Sequence, residues 1–197
     1  MITGFILAGG RSSRMGRDKA LLPTGSRTLI EHVIQRVRPH VQRLVVIGHA
    51  QNVAHLQGLP VDHVLTDLKP DCGPLMGIYT GLLHAEAPLN LFVPCDMPWI
   101  NGRLVEQLLR AWHESVAVIA SLVPGEGLQP FPLICHVKAC RIIGALLDRG
   151  ERSIHALVHQ PETRLVTVQD PDLWRAFRNI NTPTDYAELC EETALPS

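Results

Sequence analysis

Strand-like and helix-like segments alternate along most of this chain, and that alternation predicts a layered α/β fold with a largely parallel sheet. Two further observations agree. Hydrophobic residues make up 46% of the 197, enough for a full core in one domain of ordinary size. The 15 prolines and 15 glycines are scattered through the joints, so no linker divides the chain, and no repeat or low-complexity segment interrupts it. The expected architecture is a three-layer α/β sandwich forming a single domain over 1–197.

Each element has its own signal. Phe5-Ile6-Leu7-Ala8 is a short apolar run ending at Gly9-Gly10, which reads as a buried strand feeding a loop. Thr28 and Glu31 have capping-box spacing, and Leu29, Ile30, Val33, Ile34 and Val37 repeat at helical intervals up to Pro39. Leu44 to Ile47 is a second buried strand, closed by Gly48. Val61 to Leu65 is a third, ending near Asp67. A helix carrying Leu75, Ile78, Leu82 and Leu83 follows Gly73-Pro74, and Leu89 to Val93 forms a strand running into Pro94-Cys95-Asp96.

Leu104, Leu108, Leu109 and Trp112 mark an amphipathic helix. Val116 to Ala120 and Pro132 to Val137 read as two further strands, and 138–149 as a helix with a shorter one after Ser153. Arg164 to Val168 is a late strand. Thr182-Pro183 opens a final helix with a cap residue and proline at its first position.

Charge and cysteine content exclude several classes. Eighteen basic against 19 acidic residues give a net of −1, so there is no basic excess to neutralise a nucleic-acid backbone. No apolar run approaches the ~20 residues of a membrane span. The start of the chain has no basic segment before Phe5, so a secretory leader is not expected. Five cysteines, without a C-x-x-C pair, suggest reduced thiols and a cytoplasmic location.

The stretch from Leu7 to Lys19 carries the chemistry. Paired glycines after a buried strand let the backbone approach a ligand and turn its N–H groups outward. Arg11, Arg14, Arg17 and Lys19 follow at once, with Asp18 the acidic neighbour. Converging amides and cations make an anion cradle, and polyphosphate is its natural occupant. The spacing matches neither G-x-x-x-x-G-K-[ST] nor G-x-G-x-x-G.

Asp96 ends a strand at the carboxyl edge, where ligands collect in open α/β sheets. A hard carboxylate facing phosphates suits Mg²⁺, although an Asp capping the next helix has the same local pattern. His155 and His159 share a helical face but have no intervening Glu of the H-E-x-x-H kind, and read as a structural or solvated pair. Cys95 reads as a small packed thiol rather than a nucleophile.

Leu7-Ala8-Gly9-Gly10-x-Ser-x-Arg14-Met15-Gly16-x-Asp18-Lys19 resembles the signature of the molybdenum cofactor guanylyltransferases, members of the wider nucleotidyltransferase group. Gly73-Pro74-Leu75-x-Gly77, Pro94-Cys95-Asp96-Met97-Pro98, Phe131-Pro132-Leu133 and Asn179-Ile180-Asn181-Thr182-Pro183 resemble the family's later segments, so the likeness spans nearly the whole chain. It implies a Rossmann-like, nucleotide-diphospho-sugar transferase type of fold, whose mostly parallel mixed sheet has one antiparallel strand. A nucleotide-binding part of about 1–100 would precede an acceptor-binding part of about 101–197.

The implied reaction joins GTP to molybdopterin bearing molybdenum, giving the guanine dinucleotide cofactor and pyrophosphate with Mg²⁺ assisting. By position, Leu7, Ala8, Gly9 and Gly10 would hold the nucleotide through their backbone. Lys19 would contact phosphates, Asp67 the nucleoside, and Asp96 would bind Mg²⁺. Asn179 and Asn181 would lie near the pterin. Lys19, Arg14 and Asp96 are the expected catalytic set.

Partners would be the two substrates and, transiently, cofactor-insertion proteins or target molybdoenzymes, with neither nucleic acid nor membrane. Gly48 departs from the family pattern, which has asparagine after the second strand. Alternatives are a cytidylyltransferase for the same cofactor, a transferase for another phosphate acceptor, or a non-catalytic nucleotide-binding or cofactor-delivery protein.

Overall fold

The computed structural model describes residues 1–9, 18–70 and 72–194. The chain runs through β1 (Ile2–Ala8), a small hairpin of β2 (Pro23–Thr24) and β3 (Arg27–Thr28), α1 (Leu29–Val37), β4 (Arg43–Gly48), α2 (Val53–Leu56) and β5 (His63–Thr66). It continues through α3 (Gly73–Leu83), β6 (Leu89–Pro94), α4 (Gly102–Arg110), β7 (Val118–Val123) and β8 (Gly127–His136). The last elements are α5 (Ala139–Asp148), α6 (Ile154–Val158), β9 (Thr163–Thr167), a 3₁₀ turn over Pro171–Phe177 and α7 (Pro183–Ala194).

Seven strands form one sheet in the order β5-β4-β1-β6-β8-β7-β9. β8 runs against both of its neighbours and every other adjacent pair is parallel, which is the mixed sheet that the resemblance implied. Alternation along β1 sends Ile6 and Ala8 to one face and Phe5 and Leu7 to the other. The first face packs on α1, α2, α4 and the 3₁₀ turn; the second packs on α3, α5 and α6. Helices on both faces give the three layers, and buried parallel strands explain the unbroken apolar runs in the sequence.

The caps form where the sequence places them. The Glu31 carboxylate accepts from both the N–H and the hydroxyl of Thr28, at 2.6 and 2.7 Å, and so fixes the start of α1. Ser153 accepts from the His155 N–H and opens α6.

Two regions differ from expectation. β7 and β8 are longer than predicted and meet in a hairpin across 124–126. Pro130, two residues before Pro132, argues against an earlier start for β8, because proline removes a ladder donor. The structure absorbs them at a register shift, between the Ile119–Ile134 and Ser121–Gln129 pairings. The β2–β3 hairpin and α2 are too short to carry a hydrophobic period, so the sequence does not predict them.

A third, smaller apolar cluster joins Leu29, Trp99, Ile180 and Leu189, docking α7 onto the turn that follows β6. The Arg175 and Arg178 guanidiniums lie 5.0 and 5.1 Å from the Trp99 ring centroid, and Trp99 Nε1 donates to Glu192 at 3.0 Å.

Candidate active site

Parallel neighbours β5, β4, β1 and β6 bring their carboxyl ends to one edge of the sheet. Successive segments leaving this edge carry Asp67, Gly48, Gly9 and Asp96, so residues far apart in sequence become neighbours in the order of the strands. Gly10 and Arg14 lie outside the described residues, as do Arg11 and Arg17 of the cation-rich stretch.

Beside β6, the Lys19 ammonium donates to Asp96 Oδ2 at 2.7 Å and to Asn181 Oδ1 at 3.0 Å. Both charged side chains are largely sheltered, at 16% and 20% exposure. The partners are fixed from both ends of the chain. Asp18 caps the short 3₁₀ turn that carries Lys19, accepting from the Ala20 N–H. Asn181 is held because the Ile180 N–H donates to the Asp96 carbonyl at 2.9 Å, while Asp185 accepts from the N–H groups of Asn181 and Thr182. Asn179 is exposed, two residues before Asn181.

On the other side of β1, the Asp67 carboxylate faces two glycines. A Cβ at Gly9 or at Gly77 would come within 3.9 or 4.0 Å of its Oδ2. The same Gly77 position would be 3.2 Å from Leu7, so a bare backbone there lets α3 close onto the end of β1. Thr80, fully buried on α3, donates to Asp67 Oδ1 at 2.8 Å, and the Leu68 N–H donates to the Thr80 hydroxyl. Burial pushes the Asp67 carboxyl above its ordinary value, and the hydrogen bonds from Thr80, Leu68 and Lys69 oppose that rise.

Leu7 and Ala8 contribute through the backbone. The Leu7 carbonyl accepts from the Cys95 N–H at 3.0 Å, tying the end of β1 to the turn that carries Asp96. Burial, reinforced by the adjacent Asp96 carboxylate, pushes the Cys95 thiol far up and keeps it protonated, as befits a packed residue and not a nucleophile.

Among the described residues no three His, Cys, Asp or Glu side chains gather as a metal-binding group. One sheltered carboxylate at the carboxyl edge of the sheet is a donor set that fits Mg²⁺, which takes waters and phosphate oxygens as most of its ligands. A groove of about 340 Å³ lined by Lys69, Cys72, Met76, Tyr79, Gly144 and Arg152 includes none of the predicted site residues in its wall.

Two residues that sequence reasoning passed over belong to this edge. Thr80 carries no sequence signal, being one polar residue on an apolar helix. Asn52 is buried and bonds the Ala8 carbonyl; an asparagine shortly after a strand-ending glycine was a usable hint of a local turn.

Residues 4–165 match the MobA-like NTP transferase domain. The chain belongs to this family. A molybdenum cofactor guanylyltransferase from Vibrio parahaemolyticus is 36% identical over 186 residues, which cover 93% of this chain and 92% of that one. A probable molybdenum cofactor guanylyltransferase from Bacillus cytotoxicus is 34% identical over 192 residues, covering 95% and 96%. Among solved structures, molybdopterin-guanine dinucleotide biosynthesis protein A from Archaeoglobus fulgidus superposes with a TM-score of 0.77 at 21% identity, covering 96% of this chain and 97% of that one. At that identity the likeness concerns the fold. The MobA-like family thus accounts for the mixed sheet and for the motifs gathered along its carboxyl edge. No helix among the described residues is long and apolar enough to cross a membrane.

Proposed function

We propose that this MobA-like transferase moves GMP from GTP to molybdenum-bearing molybdopterin, releasing pyrophosphate. The observation that carries the reading is the Lys19–Asp96–Asn181 cluster at the end of β6, set across β1 from Asp67. A cation and a carboxylate sheltered together at the carboxyl edge of the sheet serve transfer chemistry. A protein that only delivered cofactor would have no need of both.

In this reading the terminal phosphate of the pterin attacks the α-phosphorus of GTP in line. The new P–O bond forms as the bond to pyrophosphate breaks, and the electron pair leaves with pyrophosphate. The protein contributes position and charge, so no covalent intermediate on a side chain is required. The backbone at Leu7, Ala8 and Gly9 lies along the nucleotide, and Lys19 offsets charge on the phosphates. Arg14 is assigned the same task by its place in the motif.

Asp96 would hold Mg²⁺, which when bound neutralises charge on the phosphates and on the leaving pyrophosphate. Asn181, on the same ammonium, and Asn179 lie towards the acceptor. Asp67 reads the base: guanine presents N1–H and N2–H₂ on one edge, and a carboxylate accepts both, whereas cytosine presents an acceptor there.

The test is thermal stabilisation by each nucleoside triphosphate with Mg²⁺. A ligand at 100 times its dissociation constant adds ~2.7 kcal/mol. GTP is expected to raise Tm most. A larger rise with CTP would assign cytidylyl transfer instead, and no rise with any triphosphate would contradict nucleotide binding.

A further inference from the structure

Gly48 ends β4, paired in the sheet with Ala8 on one side and Thr66 on the other, and its carbonyl accepts from the Asp67 N–H at 2.8 Å. At this position the chain has no side chain at all. The space is not empty. A Cβ at Gly48 would stand 2.5 Å from Asn52 Oδ1 and 2.6 Å from Leu56 Cδ1, so a side chain arriving from α2 takes that volume.

The Asn52 carboxamide is only 2% exposed and both its ends are used. Its Nδ2 donates to the Ala8 carbonyl at 2.9 Å, and its Oδ1 accepts from the His49 N–H at 2.9 Å. Its own N–H and that of Val53 donate to the His49 carbonyl, closing a tight turn that holds the amide in place. One buried side chain therefore bridges the ends of β1 and β4 where the sheet ladder stops.

The Ala8 bond has a consequence one peptide further on. A carbonyl and the following N–H lie on opposite sides of a planar trans peptide unit. The Leu7 carbonyl points towards β6, where it meets the Cys95 N–H, and the Ala8 carbonyl points the other way, to Asn52. The Gly9 N–H is thereby turned towards the β6 side, the side of Lys19 and Asp96. Glycine resists such fixing more than any other residue, so an external tether matters most at this point.

We propose that Asn52 is a positioning residue for the nucleotide: by holding the Ala8 carbonyl it aims the Gly9 N–H at the phosphates, and Gly48 is glycine to give it room. The inference rests on the nucleotide-binding reading above. Asn52 touches no substrate and acts through the Ala8–Gly9 peptide.

The experiment is calorimetric titration of GTP with Mg²⁺ into the parent and Asn52→Leu, with steady-state kinetics in both substrates well below either Tm. Leu has nearly the same size but neither hydrogen bond. Loss of one aimed backbone donor should weaken the GTP dissociation constant and raise the KM for GTP about tenfold. The kcat and the KM for the pterin should stay within about twofold, because the interaction removed is made equally in ground and transition states. A lower Tm with GTP binding unchanged overturns the proposal, since a merely structural asparagine would give that result. If Asn52→Leu does not fold, the same titration on Asn52→Ser, which leaves room for a bridging water, decides: weaker GTP binding supports the proposal and unchanged binding overturns it. A parent that binds no triphosphate removes the underlying reading and the proposal with it, whereas a parent that binds GTP as tightly as the variant does removes the proposal alone.

Discussion

Lys19 Nζ lies 2.7 Å from Asp96 Oδ2, so the cation assigned to the phosphates rests on the carboxylate assigned to the metal. The 77 positions that separate them are spanned by the sheet: one follows β1 and the other follows β6, its parallel neighbour. Among the described residues the Lys19 ammonium is the cation paired with this sheltered carboxylate. Substrate phosphates and a divalent cation would separate the two and take over both charges.

Asp96→Asn should therefore keep the fold while losing turnover by ~10²-fold or more, since a neutral amide is a poor ligand for a hard cation. The Asp96 carbonyl still accepts from the Ile180 N–H in the variant, so the 179–181 segment stays docked. The check is turnover at limiting Mg²⁺ alongside thermal melting; near-normal turnover would remove the metal assignment.

Lys19→Ala should slow turnover and leave the choice of base alone. Lys19→Arg should restore little, because a planar fork cannot replace a compact ammonium that serves both Asp96 and Asn181. Steady-state rates with GTP and CTP for both variants test this. A change confined to base preference would mean the role has been misassigned.

Asp67→Asn should narrow the preference for GTP over CTP about tenfold, the worth of one buried polar mismatch. Burial raises the Asp67 carboxyl above its ordinary 3.8, so the folded protein holds that proton more tightly than the unfolded chain does. Stability from this group therefore falls as pH rises from the ordinary value through the raised one, while GTP affinity rises over the same window as the carboxylate ionises. An acidic limb in GTP affinity is expected for the parent and not for Asp67→Asn.

Thr80→Val separates position from charge. The Thr80 hydroxyl bond holds the Asp67 carboxyl down, so its loss should move the acidic limb of GTP binding to higher pH. The measurement is GTP affinity against pH, and an unmoved limb would show that Asp67 is not the titrating group.

Trp99→Ala should destabilise the fold by about 3–5 kcal/mol, the usual cost of removing a buried tryptophan. Trp99 is 5% exposed and fastens α7, and with it Asn181, to the turn after Asp96. Denaturant unfolding checks this; a loss below about 1 kcal/mol would show that α7 docks by other contacts.

Much of this edge was legible in the sequence because its signals are local. Gly9 after a buried run, Asp96 at the end of another and Thr28 with Glu31 each declare themselves within a few residues. The contact of Lys19 with Asn181 spans 162 positions and depends on a turn packed by Trp99, which no local pattern encodes. The first half of β8 is not legible locally, because Pro130 argues against a strand until the register shift is known. Gly48 was legible as a departure from the family, but its meaning was not. Only the fold brings the Asn52 amide into the space that Gly48 leaves open.

The central claim is guanylyl transfer, and pyrophosphate release on mixing the protein with Mg²⁺, molybdenum-bearing molybdopterin and either GTP or CTP tests it most directly. Release that requires the pterin and is at least about tenfold faster with GTP is the predicted result. Faster release with CTP, or none with either triphosphate, would contradict it.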